Sequence, residues 1–158
     1  MLKIIQATPK DTELILSFIK KLAEYEQMLD EVSATPELLN KWIFEEKKAE
    51  VLLAYYDNSP VGFALYFYNF STFVGKCGIY LEDIFVDVDY RGKGIGKALF
   101  KAVATKAYEN GFERMDWVCL TNNYPSLEFY KKIGAKELKE WQLLRLDKNA
   151  ICNLALEK

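Results

Sequence analysis

The sequence predicts an α/β (α+β) domain in which a mixed central sheet is flanked by helices. Three observations predict it. The chain of 158 residues is long enough for one sizeable core, 51% of its residues are apolar, and short apolar runs alternate with amphipathic segments. Because no internal repeat, low-complexity tract or linker interrupts the chain, we expect a single domain over residues 1–158.

The predicted elements follow in the order β-α-α-β-β-β-α-β-α-β. Apolar runs bounded by turn residues predict strands at residues 2–6, 51–56, 61–70, 79–86, 115–119 and 141–146. Apolar residues at helical spacing predict helices from about residue 8 to 26 or 28, from Thr35-Pro36 onward, and over 95–108 and 124–132. An antiparallel run of three strands followed by a β-α-β-α-β half predicts a mixed sheet.

Several kinds of chemistry are excluded by the residue types present. The chain has no histidine, which removes histidine-based triads, histidine-ligated zinc and the commonest general base. The three cysteines, Cys77, Cys119 and Cys152, are widely spaced and form no Cys-x-x-Cys pair. We therefore expect reduced thiols in a cytosolic core, with neither a disulfide nor a metal site.

Charge and hydropathy limit the partners. With 21 basic and 23 acidic residues the formal net charge is −2, so no basic field is available to hold nucleic acid. The N-terminal residues 1–6 lack the apolar region of a signal peptide, and the longest apolar stretches are too short to span a membrane. We expect a cytoplasmic protein that binds neither nucleic acid nor a membrane.

A glycine-rich turn links the predicted strand 79–86 to the predicted helix 95–108. Its glycines stand at alternate positions: Gly92, Gly94 and Gly96. Without side chains there, backbone amides can approach a ligand closely, and the helix start adds unpaired N–H groups and a positive dipole end. Three basic side chains add positive charge: Arg91, Lys93 and Lys97. The turn therefore predicts an anion site, most naturally for a pyrophosphate.

Two other phosphate motifs do not fit this turn. The dinucleotide fingerprint needs two residues between its last glycines, where this chain has only Ile95. The P-loop needs Gly-Lys followed by Ser or Thr, whereas Ala98 follows Lys97. The alternative is a tight turn whose glycines only permit a sharp strand-to-helix junction. The pattern Arg-x-x-Gly-x-Gly between a strand and a helix favours the phosphate site.

This turn also resembles a known motif. Residues 91–96, Arg-Gly-Lys-Gly-Ile-Gly, resemble the R/Q-x-x-G-x-G/A motif of the GNAT superfamily of N-acetyltransferases. The flanking Tyr-Leu-Glu-Asp-Ile-Phe-Val of 80–86 resembles, more narrowly, diamine acetyltransferases of the spermidine/spermine type. Further similar segments lie at 22–26, 61–66 and 123–135. The resemblance therefore covers nearly the whole chain.

The resemblance implies a GNAT-type fold with acetyl-CoA in the cleft between two splayed parallel strands. The pantetheine arm would pair with Ile84, Phe85 and Val86, for which ordinary core packing is the alternative and is compatible with a backbone contact. The pyrophosphate would lie on the amides of Arg91, Gly92, Lys93, Gly94, Ile95, Gly96 and Lys97. Asn123 matches a residue that contacts the cofactor arm.

Two side chains are implied by the resemblance to be catalytic. Tyr130 matches the general acid that protonates the departing coenzyme A thiolate, and a phenol with a reference pKa near ~10 is protonated at neutral pH. The alternative for Tyr130 is a core aromatic on a helix face. Glu82 matches the residue proposed to take a proton, directly or through water, from the attacking amine.

Proton removal is a physical requirement, because at a reference pKa near ~10.4 only about one amine in a thousand is unprotonated at pH 7. Burial on a strand raises the pKa of a carboxylate toward the pH at which an enzyme works, which favours Glu82 as the base. The alternative is that Glu82 and Asp83 lie on a solvated edge or pair with lysines. In an alternating strand Glu82 and Asp83 face opposite sides, so Asp83 is expected to be structural or substrate-binding.

The next prediction concerns the acceptor amine. Tyr25 and Glu26 match positions that bind the polyamine, and Glu140 lies near another such position if a gap is allowed. The segment before Trp141 is shorter than in the animal enzymes, which leaves the amine open. A small polyamine or diamine is expected first, and thialysine, another amino acid or a protein amine second. A CoA-binding sensor without catalysis is the third alternative.

We expect direct attack of the amine on acetyl-CoA in a ternary complex, without a covalent acetyl-enzyme. Members of this type are usually homodimers. The aromatic-rich strand 63–73 and the tail after Asp147 are candidates for the interface, although a buried core explains them equally well.

Overall fold

One mixed sheet organises the protein, whose residues 1–157 are described by a computed structural model. Its five strands in this range are β1 (Leu2–Gln6), β2 (Glu50–Tyr56), β3 (Ser59–Ser71), β4 (Lys76–Val86) and β5 (Met115–Asp116). They lie in the order β1-β2-β3-β4-β5. The first four strands are antiparallel, and β5 is parallel to β4. This confirms the predicted mixed, mostly antiparallel sheet flanked by helices.

The helices are α1 (Thr12–Tyr25), α2 (Pro36–Leu39), α3 (Ile95–Glu109), α4 (Tyr124–Lys132) and α5 (Lys148–Ala155). The bounds of α4 agree with the prediction, and α3 differs by one residue. A π-helix, Asn40–Glu45, continues α2, and α5 was not predicted. None of the helices within residues 1–157 is both long enough and apolar enough to cross a membrane.

Two predicted strands differ from the structure. The strand expected over 115–119 is limited to Met115–Asp116, which pair with Ile79 and Tyr80. The strand expected over 141–146 is not formed, and that prediction was wrong. Its apolar side chains, such as Trp141 at 74% and Leu144 at 85% exposure, do not gain the burial that stabilises a strand.

The residues divide into two compact units, of which the first is Met1–Val118 and the second begins at Cys119. The first unit contains the sheet and helices α1 to α3, and the second contains α4 and α5. A single domain over 1–158 remains a prediction.

Helix α1 packs its aromatic face on the sheet of the first unit. The Phe18 ring is stacked on Phe63 with centroids 5.6 Å apart, and Phe85 lies 6.4 Å from Phe18. All three side chains are buried, and each contributes roughly 1.5–3 kcal/mol of hydrophobic free energy. This core fixes α1 against the ends of β3 and β4, where the predicted site lies.

Candidate active site

The glycine-rich turn exposes its backbone. After β4 a short 3₁₀ turn, Val88–Tyr90, leads to Gly92 and Gly94, whose φ angles are +76° and +77°. This left-handed conformation costs other residues roughly 1–2 kcal/mol. No heavy atom of the described residues outside the adjoining chain lies within 4 Å of where a Cβ would stand at either glycine. A ligand can therefore approach these amides.

Gly94 is also the N-cap of α3. The first turn of the helix, Ile95–Ala98, contains no carboxylate that would neutralise the positive end of the dipole. The amides of Ile95, Gly96 and Lys97 have no carbonyl one turn earlier within the helix, whereas the amide of Ala98 donates to the carbonyl of Gly94. The geometry therefore fits the diphosphate of a coenzyme.

The edge of β4 that follows the β5 pairing has no partner strand within the first unit. Within the first unit, β5 pairs with β4 only at Ile79 and Tyr80. Residues 81–86 of β4 continue without a strand of that unit on this side, while their other edge pairs with β3. The predicted cofactor-binding residues Ile84, Phe85 and Val86 lie in this stretch, and the side chain of Phe85 is buried in the core.

The basic side chains of the turn contact aromatic rings. The Arg91 guanidinium carbon lies 4.5 Å from the centroid of Tyr25, and Arg91 Nε donates to the carbonyl of Val86 at 3.1 Å. The ammonium of Lys93 lies 4.8 Å from the ring of Tyr90. The anion site predicted at this turn would therefore be made mainly of backbone amides.

Three carboxyl groups create a negative region near the carboxyl end of α1. Burial, and after it the negative charges of Glu82 and Glu26, together raise the pKa of Asp83 to about 7. Burial also raises the pKa of Glu26, the C-cap of α1. The last turn of α1, residues 22–25, has no basic residue, so the negative dipole end adds to this field. The region suits a cation.

A β-bulge explains why Glu82 and Asp83 differ. Leu65 of β3 pairs with Asp83, whereas the next residue, Tyr66, pairs with Leu81, so Glu82 is an extra residue in β4. The strict alternation expected for the two carboxyl groups is interrupted at this point. Glu82, the extra residue of the bulge, is exposed, so its side chain fits the alternative of a solvated edge in place of a buried carboxylate.

The carboxyl with the strongly raised pKa is Asp83, a property that the sequence analysis missed. A signal was available, because Asp83 stands two residues before Phe85, which belongs to the core, and shares its face of β4. Counting alternation backward from that phenylalanine would have placed the aspartate on the buried side.

The remaining predicted residues belong to the second unit. Asn123 is the N-cap of α4, and its Oδ1 accepts from the amide of Ser126 at 3.4 Å. Tyr130 lies on α4, half-buried, with its ring 5.6 Å from that of Phe129. Glu140 is exposed in a turn. Their roles remain predictions.

Residues 1–157 contain no group of three or more carboxyl or thiol side chains arranged to hold a metal ion. The thiols of Cys77 and Cys119 are half-buried and that of Cys152 is exposed, and none of the three forms a disulfide.

Residues 16–135 match the Acetyltransferase (GNAT) family. The chain belongs to this family. It is therefore an N-acetyltransferase, as the motif at 91–96 predicted, and the resemblance drawn from the sequence is confirmed.

This GNAT chain is similar to relatives whose names refer to thialysine and to spermidine/spermine. It is 37% identical to the thialysine N-epsilon-acetyltransferase of Bos taurus, over 96% of each protein. It is 29% identical to the spermidine/spermine N(1)-acetyltransferase-like protein 1 of Homo sapiens, over 99% of this chain and 24% of that protein. Among solved structures, an integron cassette protein of V. cholerae has a TM-score of 0.82 at 29% identity, over 99% of this chain and 98% of that one.

Proposed function

We propose that this GNAT enzyme transfers the acetyl group of acetyl-CoA to a terminal primary amine of a small diamine or polyamine. The observation that carries the proposal is the negative region formed by Glu26, Glu82 and Asp83 at the carboxyl end of α1. An acceptor with a second ammonium group would gain charge-assisted hydrogen bonds there.

The donor side is proposed to work through backbone. Acetyl-CoA supplies the thioester whose carbonyl carbon the amine attacks. The amides of residues 92–97 hold its diphosphate, and the backbone edge at Ile84 and Val86 aligns its extended arm. This alignment places the reacting carbon beside the acceptor region, so that attack occurs within one ternary complex.

Asp83 is the group we propose to receive the proton of the amine, directly or through water. An ammonium must lose a proton before its nitrogen can form the new C–N bond. A carboxyl with a pKa of about 7 is ionised in about half of the molecules at neutral pH and is a stronger base than an ordinary aspartate. Glu82, the predicted base, is exposed beside it and is assigned to binding the ammonium.

Tyr130 is proposed as the acid on the other side of the reaction. When the C–S bond breaks, the thiolate takes the phenolic proton of Tyr130. The match of residues 123–135 to the family pattern supports this role. No acetylated side chain is required, and the cytoplasmic location and the homodimer remain predictions.

An amino-acid acceptor such as thialysine is the second candidate. The 37% identity to a protein named thialysine N-epsilon-acetyltransferase favours it. Such a substrate also offers a terminal primary amine to the same carboxyl groups, but its far end carries a carboxylate beside the second ammonium, whereas a diamine carries an ammonium alone.

The two candidates are separated by thiol release from acetyl-CoA with putrescine, spermidine, spermine, thialysine, lysine and a lysine-containing peptide at pH 7 to 9. A higher kcat/KM for a diamine or polyamine supports the first proposal, and a preference for thialysine supports the second. Binding of coenzyme A without release for any amine would instead favour a sensor module.

A further inference from the structure

Two links join α1 to the turn that follows β4. The first is an ion pair in which Lys21 Nζ lies 2.8 Å from Oδ1 and 3.1 Å from Oδ2 of Asp87. Asp87 is itself fixed by backbone bonds, since its amide donates to the carbonyl of Val61 and its carbonyl accepts from Tyr90. The helix is thereby tied to the start of the glycine-rich turn.

The second link is Arg91. Its side chain folds back over the end of β4, where Nε donates to Val86, and its guanidinium lies 5.6 Å from the Phe85 ring and 4.5 Å from the Tyr25 ring. Arg91 immediately precedes Gly92, the first residue of the exposed turn. Its guanidinium therefore contacts the end of α1.

These links connect the two halves of the proposed site. Tyr25 precedes Glu26, whose charge contributes to the raised pKa of Asp83. Residues 92–97 supply the amides proposed to hold the coenzyme. A turn with glycines at Gly92 and Gly94 has many accessible conformations, and a bound anion selects one of them. An anion that selects the conformation containing the contact between Arg91 and Tyr25 also fixes the acceptor residues.

We propose that Arg91, Tyr25 and the Lys21–Asp87 pair couple the two substrate sites, so that the amine binds more tightly once the coenzyme is on the turn. In this role Tyr25 and Lys21 are positioning residues. The inference rests on the proposed function, because it names how the donor and acceptor sides of that site communicate. By linkage the effect is reciprocal, and the amine tightens coenzyme binding by the same factor.

The test measures the coupling ratio, which is the Kd of the preferred amine for the free protein divided by its Kd for the protein saturated with coenzyme A. Coenzyme A is used because it lacks the acetyl group and no reaction occurs. We expect a ratio of about 10 for the wild type, within the usual range of such couplings. A ratio of 1 would overturn the proposal.

Variants of the two links provide the matched comparison. Tyr25→Leu and Lys21→Gln should each lower the ratio toward 1, while Tyr25→Phe, which keeps the ring, and Lys20→Gln on the same helix should keep it near the wild-type value. A variant that only loses a direct contact with the amine weakens both Kd values by the same factor. The ratio then stays unchanged, so such a loss cannot be mistaken for a loss of coupling. Ratios unchanged in both link variants would contradict the proposal.

Hydrogen exchange provides a readout that needs no amine. Coenzyme A should slow exchange at residues 22–26 of the wild type and of Tyr25→Phe, and not of Tyr25→Leu. Failure of this protection would overturn the coupling even in an active enzyme. Protection at 22–26 without acetylation of any amine in the panel would instead contradict the proposed function and leave the coupling supported.

Discussion

The donor and acceptor sides of the proposed site are built in different ways. The donor side is one continuous stretch, from Ile84 to Lys97, in which exposed backbone and two left-handed glycines provide the ligand contacts. The acceptor side combines Glu26, Glu82 and Asp83, which come from two distant segments and act through side chains whose charges interact.

This difference shows which half of the proposed site is determined by the local sequence. Backbone amides at a strand-to-helix turn need glycines at fixed positions, so the donor side produces a motif that is recognisable in the sequence. Carboxyl groups near a helix end are positioned by packing, so the acceptor side can change with few substitutions. The donor side therefore identifies the reaction, and the acceptor side determines the amine.

The largest expected effect comes from breaking the backbone of the donor side. Gly94→Val places a β-branched residue at φ +77°, which costs at least roughly 1–2 kcal/mol and displaces the amides at the start of α3. We expect kcat/KM for acetyl-CoA to fall about a thousandfold, an effect of about 4 kcal/mol on transition-state binding, measured by thiol release.

Gly111 gives a matched control at the other end of α3. It has a φ of +68°, so Gly111→Val imposes a similar backbone strain away from the turn. This variant should lower the melting temperature without changing KM for acetyl-CoA. Equal losses of acetyl-CoA affinity in the two variants would mean that Gly94 acts through stability alone.

The same division explains what the sequence could predict. The apolar run before Val86, the glycines and the helical spacing after Ile95 are local features, and the structure has β4 and α3 close to the predicted bounds. The bulge at Glu82 could not be predicted in this way, because it is defined by the register against Leu65 and Tyr66 of another strand. The partial burial of Asp83 follows from that register.

The second unit shows the same limit for strands. Helix α4 was predicted to the residue because its apolar residues recur at helical spacing and Gly134 follows its end. A strand needs a partner that the local sequence does not specify. The apolar residues at 141–146 therefore predicted a strand that the structure does not contain.

On the acceptor side, Asp83→Asn should have the next largest effect. The base must be ionised, so wild-type kcat/KM should rise with pH through about 7, the pKa to which Asp83 is raised. Asn cannot accept the proton, so kcat at pH 7 should fall about a hundredfold. In pH–rate profiles, the variant should also lose the acidic limb, which is the rise in rate as the pH increases through about 7.

Glu82→Gln distinguishes Asp83 from the base expected from the sequence. Removing the neighbouring negative charge lowers the pKa of Asp83, so the rise of the rate with pH should move to lower pH. We expect kcat to be retained and KM for the amine to rise, because Glu82 is proposed to bind the ammonium. A limb that disappears in Glu82→Gln and persists in Asp83→Asn would make Glu82 the base.

Tyr130→Phe should have a smaller effect, because a thiolate is a better leaving group than an alkoxide or amide and needs less protonation. We expect kcat to fall about tenfold to a hundredfold, at the low end for general acids, with little change in the Kd of acetyl-CoA. Tyr124 on the same helix is 70% exposed, and Tyr124→Phe is the control. Unchanged turnover in Tyr130→Phe would remove that residue from the mechanism.

The smallest expected effect is on the stability of Asp83→Asn, which should increase relative to wild type as the pH rises. The raised pKa of Asp83 means that the folded protein binds its proton more tightly than the unfolded chain, so its contribution to the free energy of unfolding falls as pH rises from about 4 to about 7. Because each pKa unit corresponds to about 1.4 kcal/mol and solvent screens part of the shift, we expect Asp83→Asn to be about 2 kcal/mol more stable relative to wild type at pH 8 than at pH 4.

Urea unfolding of the wild type and of Asp83→Asn at pH 4 and pH 8 measures this difference in stability. Glu82→Gln should remove only part of the pH dependence, because burial, the first cause of the shift, remains. An Asp83→Asn protein with the same pH dependence as the wild type would show that the aspartate is as well solvated when folded as when unfolded. It would then be no better suited than Glu82 to act as the base.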